Sequence, residues 1–189
     1  MNDARSALVQ SGHDTPTQIE PPRVRAGLVD LFVERICDAG AQVHPCGPDD
    51  VVDTLAQVLG ARHTAVPRRF QWPVPKEISR RRLDKAGGTP LEAVATTATL
   101  GVATTGTLVL TRGRRLLELG PELHACVLMT DRVVIGVPET VAALNPHASQ
   151  TWVTGPAADH EIGPDLVDVA LSSRALHLVL VESDAASAV

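Results

Sequence analysis

The chain has little aromatic character: two phenylalanines, two tryptophans and no tyrosine in 189 residues. Base-stacking platforms for single-stranded nucleic acid need repeated aromatics. That class is set aside, and the core has to be built from Val, Leu, Ile and Ala. Cysteine is as scarce, with Cys37, Cys46 and Cys126. No two of them form a C-x-x-C pair, and an odd, scattered set makes no disulfide framework. An ordinary iron–sulfur cluster takes four thiolates, so no cluster is expected on this chain, and the three cysteines read as solitary buried thiols. Long apolar runs are missing too. None nears the roughly 20 residues of a membrane span, and Met1–Glu20 is polar with no signal-peptide core. The expectation is a soluble, cytoplasmic protein that engages no membrane. There is no G-x-S-x-G elbow, no H-E-x-x-H and no dinucleotide fingerprint.

What is present reads as one α/β domain over residues 23–182, between a mobile tail at 1–22 and a frayed end at 183–189. Leu28, Leu31, Phe32, Ile36 and Ala39 recur at helical spacing and predict a helix over 25–39. Gly40 suits the left-handed position that ends it. A strand over 42–45 follows. Gly47-Pro48-Asp49-Asp50 then opens a second helix, with proline at its start and two acids at the positive end of its dipole. Val51, Leu55, Val58 and Leu59 form its apolar stripe, Gly60 closes it, and 64–66 is a short strand. Helix–strand–helix–strand argues for parallel pairing.

From Val94 the pattern turns to strands, at 93–98, 100–103, 108–110, 126–129, 133–135, 152–153 and 176–181, with a short helix over 138–144. The runs 126–129 and 133–135 either pair or bend at Thr130-Asp131-Arg132. Segment 165–171 fits either element.

The segment 67–90 gathers Arg68, Arg69, Lys76, Arg80, Arg81, Arg82 and Lys85 against Glu77 and Asp84. It is net +5, which leaves −10 on the rest. It reads first as a solvated loop and a basic helix, and alternatively as an anion site or a dock for an acidic partner. On an acidic protein without a nucleic-acid-binding motif it is poor evidence for nucleic acid.

Three places could carry chemistry. Ala103-Thr104-Thr105-Gly106-Thr107 lies between two apolar runs. It reads as a plain hairpin turn, or as a cradle in which Gly106 admits a phosphate or carboxylate to backbone N–H groups while Thr105 and Thr107 add hydroxyls. Thr154-Gly155-Pro156-Ala157-Ala158-Asp159-His160-Glu161 follows a strand, where open α/β sheets bind ligands. Its acids and histidine could move a proton, but adjacent residues diverge too far to hold a metal, so no metal site is expected. Arg174 precedes the last strand and could pair a carboxylate or phosphate bidentately. His124 and His177 sit in apolar runs and read as structural.

The order of these motifs resembles the lactate-utilisation protein C family, the LUD domain. The likeness runs from about Leu28 to Val181 and is strongest from Leu91 onward. It rests on Leu91-Glu92-Ala93-Val94, on Gly101 to Leu110, on Pro121-Glu122-Leu123-His124 and on Asp131-Arg132-Val133-Val134. It ends with Thr154-Gly155-Pro156 and Arg174-Ala175-Leu176-His177-Leu178-Val179-Leu180-Val181. The resemblance implies a mostly parallel sheet with helices on both faces, akin to the ribose-phosphate isomerase, glucosamine-phosphate isomerase and CoA-transferase group. It also implies a role beside an iron–sulfur partner subunit in oxidising L-lactate to pyruvate. A homo-oligomer is compatible with it.

The departures from that family bear on the site. Thr104 stands where the family has an acid. Ala157 replaces a serine. Glu161-Ile162-Gly163 keeps one of two carboxylates, and Leu171-Ser172-Ser173 replaces His-Gly-Pro. What is retained predicts a small organic acid or phosphorylated ligand held by Thr105, Gly106, Thr107, Thr154, Gly155 and Arg174, with Glu161 as acid or base. The rival readings are a non-catalytic interaction module with a vestigial anion site, and a free-standing isomerase or CoA-transferase-like enzyme. The CoA-transferase reading lacks its carboxylate, because Thr104 occupies that place in the turn.

Overall fold

The structure, a computed structural model, describes residues 22–73, 91–112, 114–117, 120–156 and 173–183. Five strands form a wholly parallel sheet: β1 (Gln42–Cys46), β2 (Thr64–Ala65), β3 (Ala93–Thr97), β6 (Leu123–Met129) and β9 (Ala175–Val181), in the order β1-β9-β6-β3-β2. The neighbouring strands β6 and β9 read LHACVLM and ALHLVLV, near-continuous apolar runs of the kind a sheet covered on both faces requires. Pro45 is tolerated because β1 is an edge strand.

Alternation along the strands gives this sheet two dry faces. On one, Ala125, Val127, Val179 and Val181 pack with Val51, Leu55, Val58 and Leu59 of helix α2 (Val51–Leu59). On the other, Cys126, Leu128, Leu176, Leu178 and Leu180 pack with Phe32 and Ile36 of helix α1 (Pro22–Asp38) and with Leu108, Leu110, Val133 and Val153. Those last four belong to a second, mixed sheet. It is built from β4 (Leu100–Val102), β5 (Thr107–Leu110), β7 (Val133–Val134) and β8 (Thr151–Val153), in the order β7-β4-β5-β8. Helix α4 (Val137–Ala143) lies against β4, and α3 (Arg114–Leu117) joins the two sheets in sequence between β5 and β6.

The α/β architecture with a parallel sheet is as expected, but the second sheet was not legible as a separate layer. Its strands are two to four residues long. The bend alternative holds at 130–132. A 3-10 turn there carries the chain from β6 in one sheet to β7 in the other, so the two runs do not pair. The strand expected from Cys126 begins at Leu123 and takes His124 into the core. The first helix starts three residues earlier than its apolar spacing suggested. The thiols need correction as well. Only Cys126 is fully buried, while Cys46 is half-buried and Cys37 is exposed.

Helix α1 ends as Gly40 predicted. Gly40 has φ +93°, its N–H donates to Cys37 O at 2.8 Å, and Ala41 N–H reaches back to Ile36 O at 3.1 Å. This is the paired bonding of a Schellman end, and Ala41 buries itself beside Ile36 in the same core. No helix among the described residues is long and apolar enough to cross a membrane.

Candidate functional site

The two threonine-bearing loops singled out in the sequence come together. Antiparallel pairing of β4 with β5, Val102 opposite Thr107, makes 103–106 a hairpin connection. Pairing of β5 with β8, Leu108 opposite Val153, then sets Thr107 beside Thr154. Thr105 Oγ1 and Thr107 Oγ1 are 2.8 Å apart, and Thr107 Oγ1 and Thr154 Oγ1 are 2.7 Å apart. Thr107 is buried between two exposed partners. Three hydroxyls own three protons and two hydrogen bonds use two of them; with Thr107 donating to one neighbour and accepting from the other, one end of the chain keeps a donor for water or an anion.

The backbone does not act as the cradle reading supposed. The N–H groups of Ala103, Thr104 and Thr105 donate to Val134 O, Ile135 O and Val102 O at 2.8, 3.0 and 3.4 Å. The first two tie the turn to β7 and its extension, and the third closes the turn on β4. Gly106 and Gly155 do take positive φ, +63° and +72°. The close approach each permits is to helix α1. A Cβ on Gly106 would lie 2.5 Å from Ile36 N and 2.6 Å from Arg35 C, and one on Gly155 would strike Ala39 O. Both glycines are buried and seat their loops on the last turn of α1. What the turn offers to solvent is therefore side-chain hydroxyl.

Arg174 is exposed at the amino end of β9. The register Gln42 opposite His177 puts it at the end of the sheet where Gly40 leads into β1, and Pro156 lies against Gly40. The Thr154 loop and Arg174 thus share one end of the parallel sheet. Glu161, with all of 157–172, lies outside the described residues, as do 74–90 of the basic segment and both tails beyond 22–183. A carboxylate that sequence reasoning missed comes from α4. Glu139 Oε2 and Thr104 Oγ1 both approach Gly136, 3.2 and 3.8 Å from where its Cβ would stand. Only the fold brings Glu139 near the turn, so no spacing rule could have found it.

A second cluster was missed because its members come from three elements. A cleft of about 290 Å³ is lined by His44, Gln57, Val58, Arg62, Leu123 and His177. It lies on the α2 face of the parallel sheet, opposite α1. His44 Nε2 and His177 Nδ1 are 2.9 Å apart, with ring centroids 5.2 Å apart and planes 6° from parallel. That centroid separation is what two ring radii and one such hydrogen bond make when laid end to end. The rings are therefore coplanar and share a proton, N–H to lone pair, rather than stacked face to face. Burial, then the neighbouring His44 and Arg62, hold the His177 pKa below its ordinary value. The strand period could have hinted at the pair, since His44 and His177 alternate with core positions, but partner register is not written in one strand's sequence.

His124 is a different case. It is fully buried, and burial holds its pKa down to about 4. Thr96 Oγ1 lies 2.7 Å from His124 Nε2 and donates to Cys126 Sγ at 3.5 Å. The hydroxyl can donate only once, so His124 Nε2 carries the proton and donates to it. Nδ1 then holds an unpaired lone pair, consistent with its lack of a partner. Burial also pushes the Cys126 thiol up to about 12, so it stays a thiol. His124 is structural, as its place in an apolar run suggested.

No family model matches the chain. It is 29% identical over 185 residues to lactate utilization protein C of Deinococcus radiodurans, covering 88% of this chain and 85% of that protein. The crystal structure of a DUF162 family protein, also from Deinococcus radiodurans, superposes with a TM-score of 0.66 at 27% identity, covering 83% of this chain and 98% of the other.

Proposed function

Starting from a chain that is a divergent relative of the lactate utilization protein C family, we propose that it is a cytoplasmic accessory subunit in the oxidation of L-lactate to pyruvate. That reaction removes two electrons and two protons from lactate, and the electrons need an acceptor. The chain's own thiols do not suit an ordinary four-thiolate cluster. There are three, and Cys126 is sealed in the core as a protonated thiol. The acceptor is accordingly assigned to a separate iron–sulfur protein subunit, and this chain contributes ligand binding and docking.

The observation that carries the ligand's place is the hydroxyl chain Thr105–Thr107–Thr154, which joins the two retained loops. A small organic acid or phosphorylated ligand accepts the spare hydroxyl proton there, in loops shaped by Gly106 and Gly155. Arg174 pairs its anionic group, and Glu161 serves as acid or base. An arginine–carboxylate pair of this kind is charge-assisted and worth about 2 kcal/mol or more. L-Lactate or pyruvate binding to the purified full chain, followed by calorimetry, should therefore lose one site in Arg174→Ala. Unchanged binding in that variant removes the site assignment. Co-purification of a protein with iron–sulfur absorbance tests the partner.

One observation favours the non-catalytic module as a second reading. The N–H groups of 103–105 are consumed inside the fold, which leaves the turn fewer donors than an anion cradle uses. Partner capture with no measurable binding of either acid would decide for it.

A further inference from the structure

We propose that the cleft between His44, His177 and Arg62 is a second binding site, for a short-chain carboxylate, separate from the threonine loops and independent of the lactate role.

The lining is divided in a way that suits such a ligand. Val58 and Leu123 give an apolar wall, and Arg62, Gln57 and the two imidazoles give polar groups. A cleft of about 290 Å³ admits a small organic acid, with its carbon chain on the wall and its carboxylate on the cations. Inorganic phosphate has no part for the apolar wall, so the division favours carboxylate.

Arg62 is held in advance. Its Nη1 donates to Leu59 O at 3.1 Å and Val58 O at 3.4 Å, carbonyls at the end of α2, and Leu59 O also accepts the backbone N–H of Arg62 at 3.3 Å. These bonds cover the negative end of the helix, which would otherwise repel an anion. They also fix the guanidinium at the cleft while leaving Nε and Nη2 to donate, with no protein partner among the described residues. A positioned arginine loses less freedom on binding than a loose one.

The histidine pair makes the site responsive to protons. While one proton bridges Nε2 of His44 and Nδ1 of His177, the two outer ring nitrogens hold one hydrogen between them. Uptake of one further proton makes both outer nitrogens donors and gives the pair a single positive charge. The charged and titratable groups that face His177 are His44 on β1 and Arg62 after α2. No carboxylate among the described residues acts on it, and burial first, then this positive setting, opposes its protonation. A bound carboxylate supplies the missing negative charge. Binding and proton uptake therefore favour each other.

The cleft is also set apart from the threonine loops. His44 and His177 face the α2 side of the parallel sheet with Leu123, whereas Gly106 and Gly155 seat their loops on α1, across the sheet.

The test follows the ring signals of His44 and His177 by NMR in the full chain, titrated in turn with acetate, L-lactate and inorganic phosphate. Both carboxylates should move these signals to saturation, and phosphate should not. The affinity for acetate should be severalfold higher at about pH 6 than at about pH 8, because the bound carboxylate favours the pair's second proton although His177 is held below its ordinary value. It should fall about tenfold or more in Arg62→Gln, an exposed position whose change leaves the core intact, while Arg174→Ala leaves it unchanged. Ring signals that ignore both carboxylates, or respond equally in Arg62→Gln, overturn the site. An equal response to phosphate overturns the ligand class. Loss of the response in Arg174→Ala shows that the cleft is not separate. Loss of one calorimetric lactate site in Arg174→Ala with the ring response intact bears on the threonine loops alone, so the two readings fail independently.

Discussion

The two faces of the parallel sheet treat the same side chain in opposite ways. His124 on β6 and His177 on β9 sit on neighbouring strands, with Ala125 opposite His177, so a one-residue offset sends their rings to opposite sides. His124 enters the core shared by α1 and the second sheet, where it is fully enclosed and kept neutral. His177 enters the α2 side at the mouth of a cleft and meets His44. Burial lowers the pKa of both, but only one has room beside it for a charge to be compensated. The α1 side is closed by glycines. Gly101 lets β4 come against Leu128 and Phe32, and Gly106 and Gly155 let their loops come down on the end of α1. Among the described residues, the α2 side is covered by one short helix with Val66, Phe70 and Trp72, and it opens at the end of that helix. A depressed histidine pKa therefore marks a structural residue or a site according to what stands next to the ring, not according to its size.

The comparison breaks most severely if the closed face is forced open. Gly106→Ala adds a methyl at positive φ against the backbone of Ile36 and Arg35, neither of which can swing away. The expected loss is about 3 kcal/mol or more, from backbone strain plus overpacking, read as a fall in the urea midpoint. A near-neutral result would mean that the hairpin is not clamped on α1.

Acid should act on the same face almost as strongly. The folded state binds fewer protons at His124 than the unfolded state between about 4 and 6.5. Its contribution to stability is complete above that range and is lost as the pH falls through it, on the order of 3 kcal/mol in all. Urea midpoints measured across this window should show the decline, and His124→Gln, which keeps a donor for Thr96, should flatten it. A wild-type curve without that slope would mean that the ring finds a way to be protonated in place.

Much of this closed face was legible in the sequence. The apolar spacing of α1, Gly40 as its end, the buried runs of β6 and β9 and the parallel order of the first third all follow from local pattern, because each depends on neighbours three to five residues away or on strand alternation. The two threonine loops were also legible as motifs, and the hydroxyl chain confirms that they meet. What the glycines in them do was not legible. Positive φ can be read from a glycine between two strands, but not whether the approach is to a ligand or to helix α1. The second sheet escaped because runs as short as Val133–Val134 carry no period. The cleft escaped because Gln57, Arg62, His44 and His177 acquire meaning only when α2 is laid across β1 and β9, and because the usual expectation looks to the carboxyl ends of parallel strands, whereas this cleft lies by Leu123 and His177, near their amino ends.

The open face should give the smallest effect on stability, and that is the sharpest use of the comparison. His177→Gln removes a half-buried ring and one hydrogen bond to His44. An exchange of this kind costs about 1 kcal/mol or less when water can reach the orphaned partner. His177, like His124, has a lowered pKa, so its own share of stability is present at neutral pH and is lost on acidification. The ring is partly open to solvent, and the screening that follows keeps that share below the contribution of His124. His177→Gln should therefore leave most of the acid slope in place, and His124→Gln should remove most of it. If the two variants exchange these behaviours, the ring at the cleft is the one the fold depends on, and the face assigned as open is the closed one.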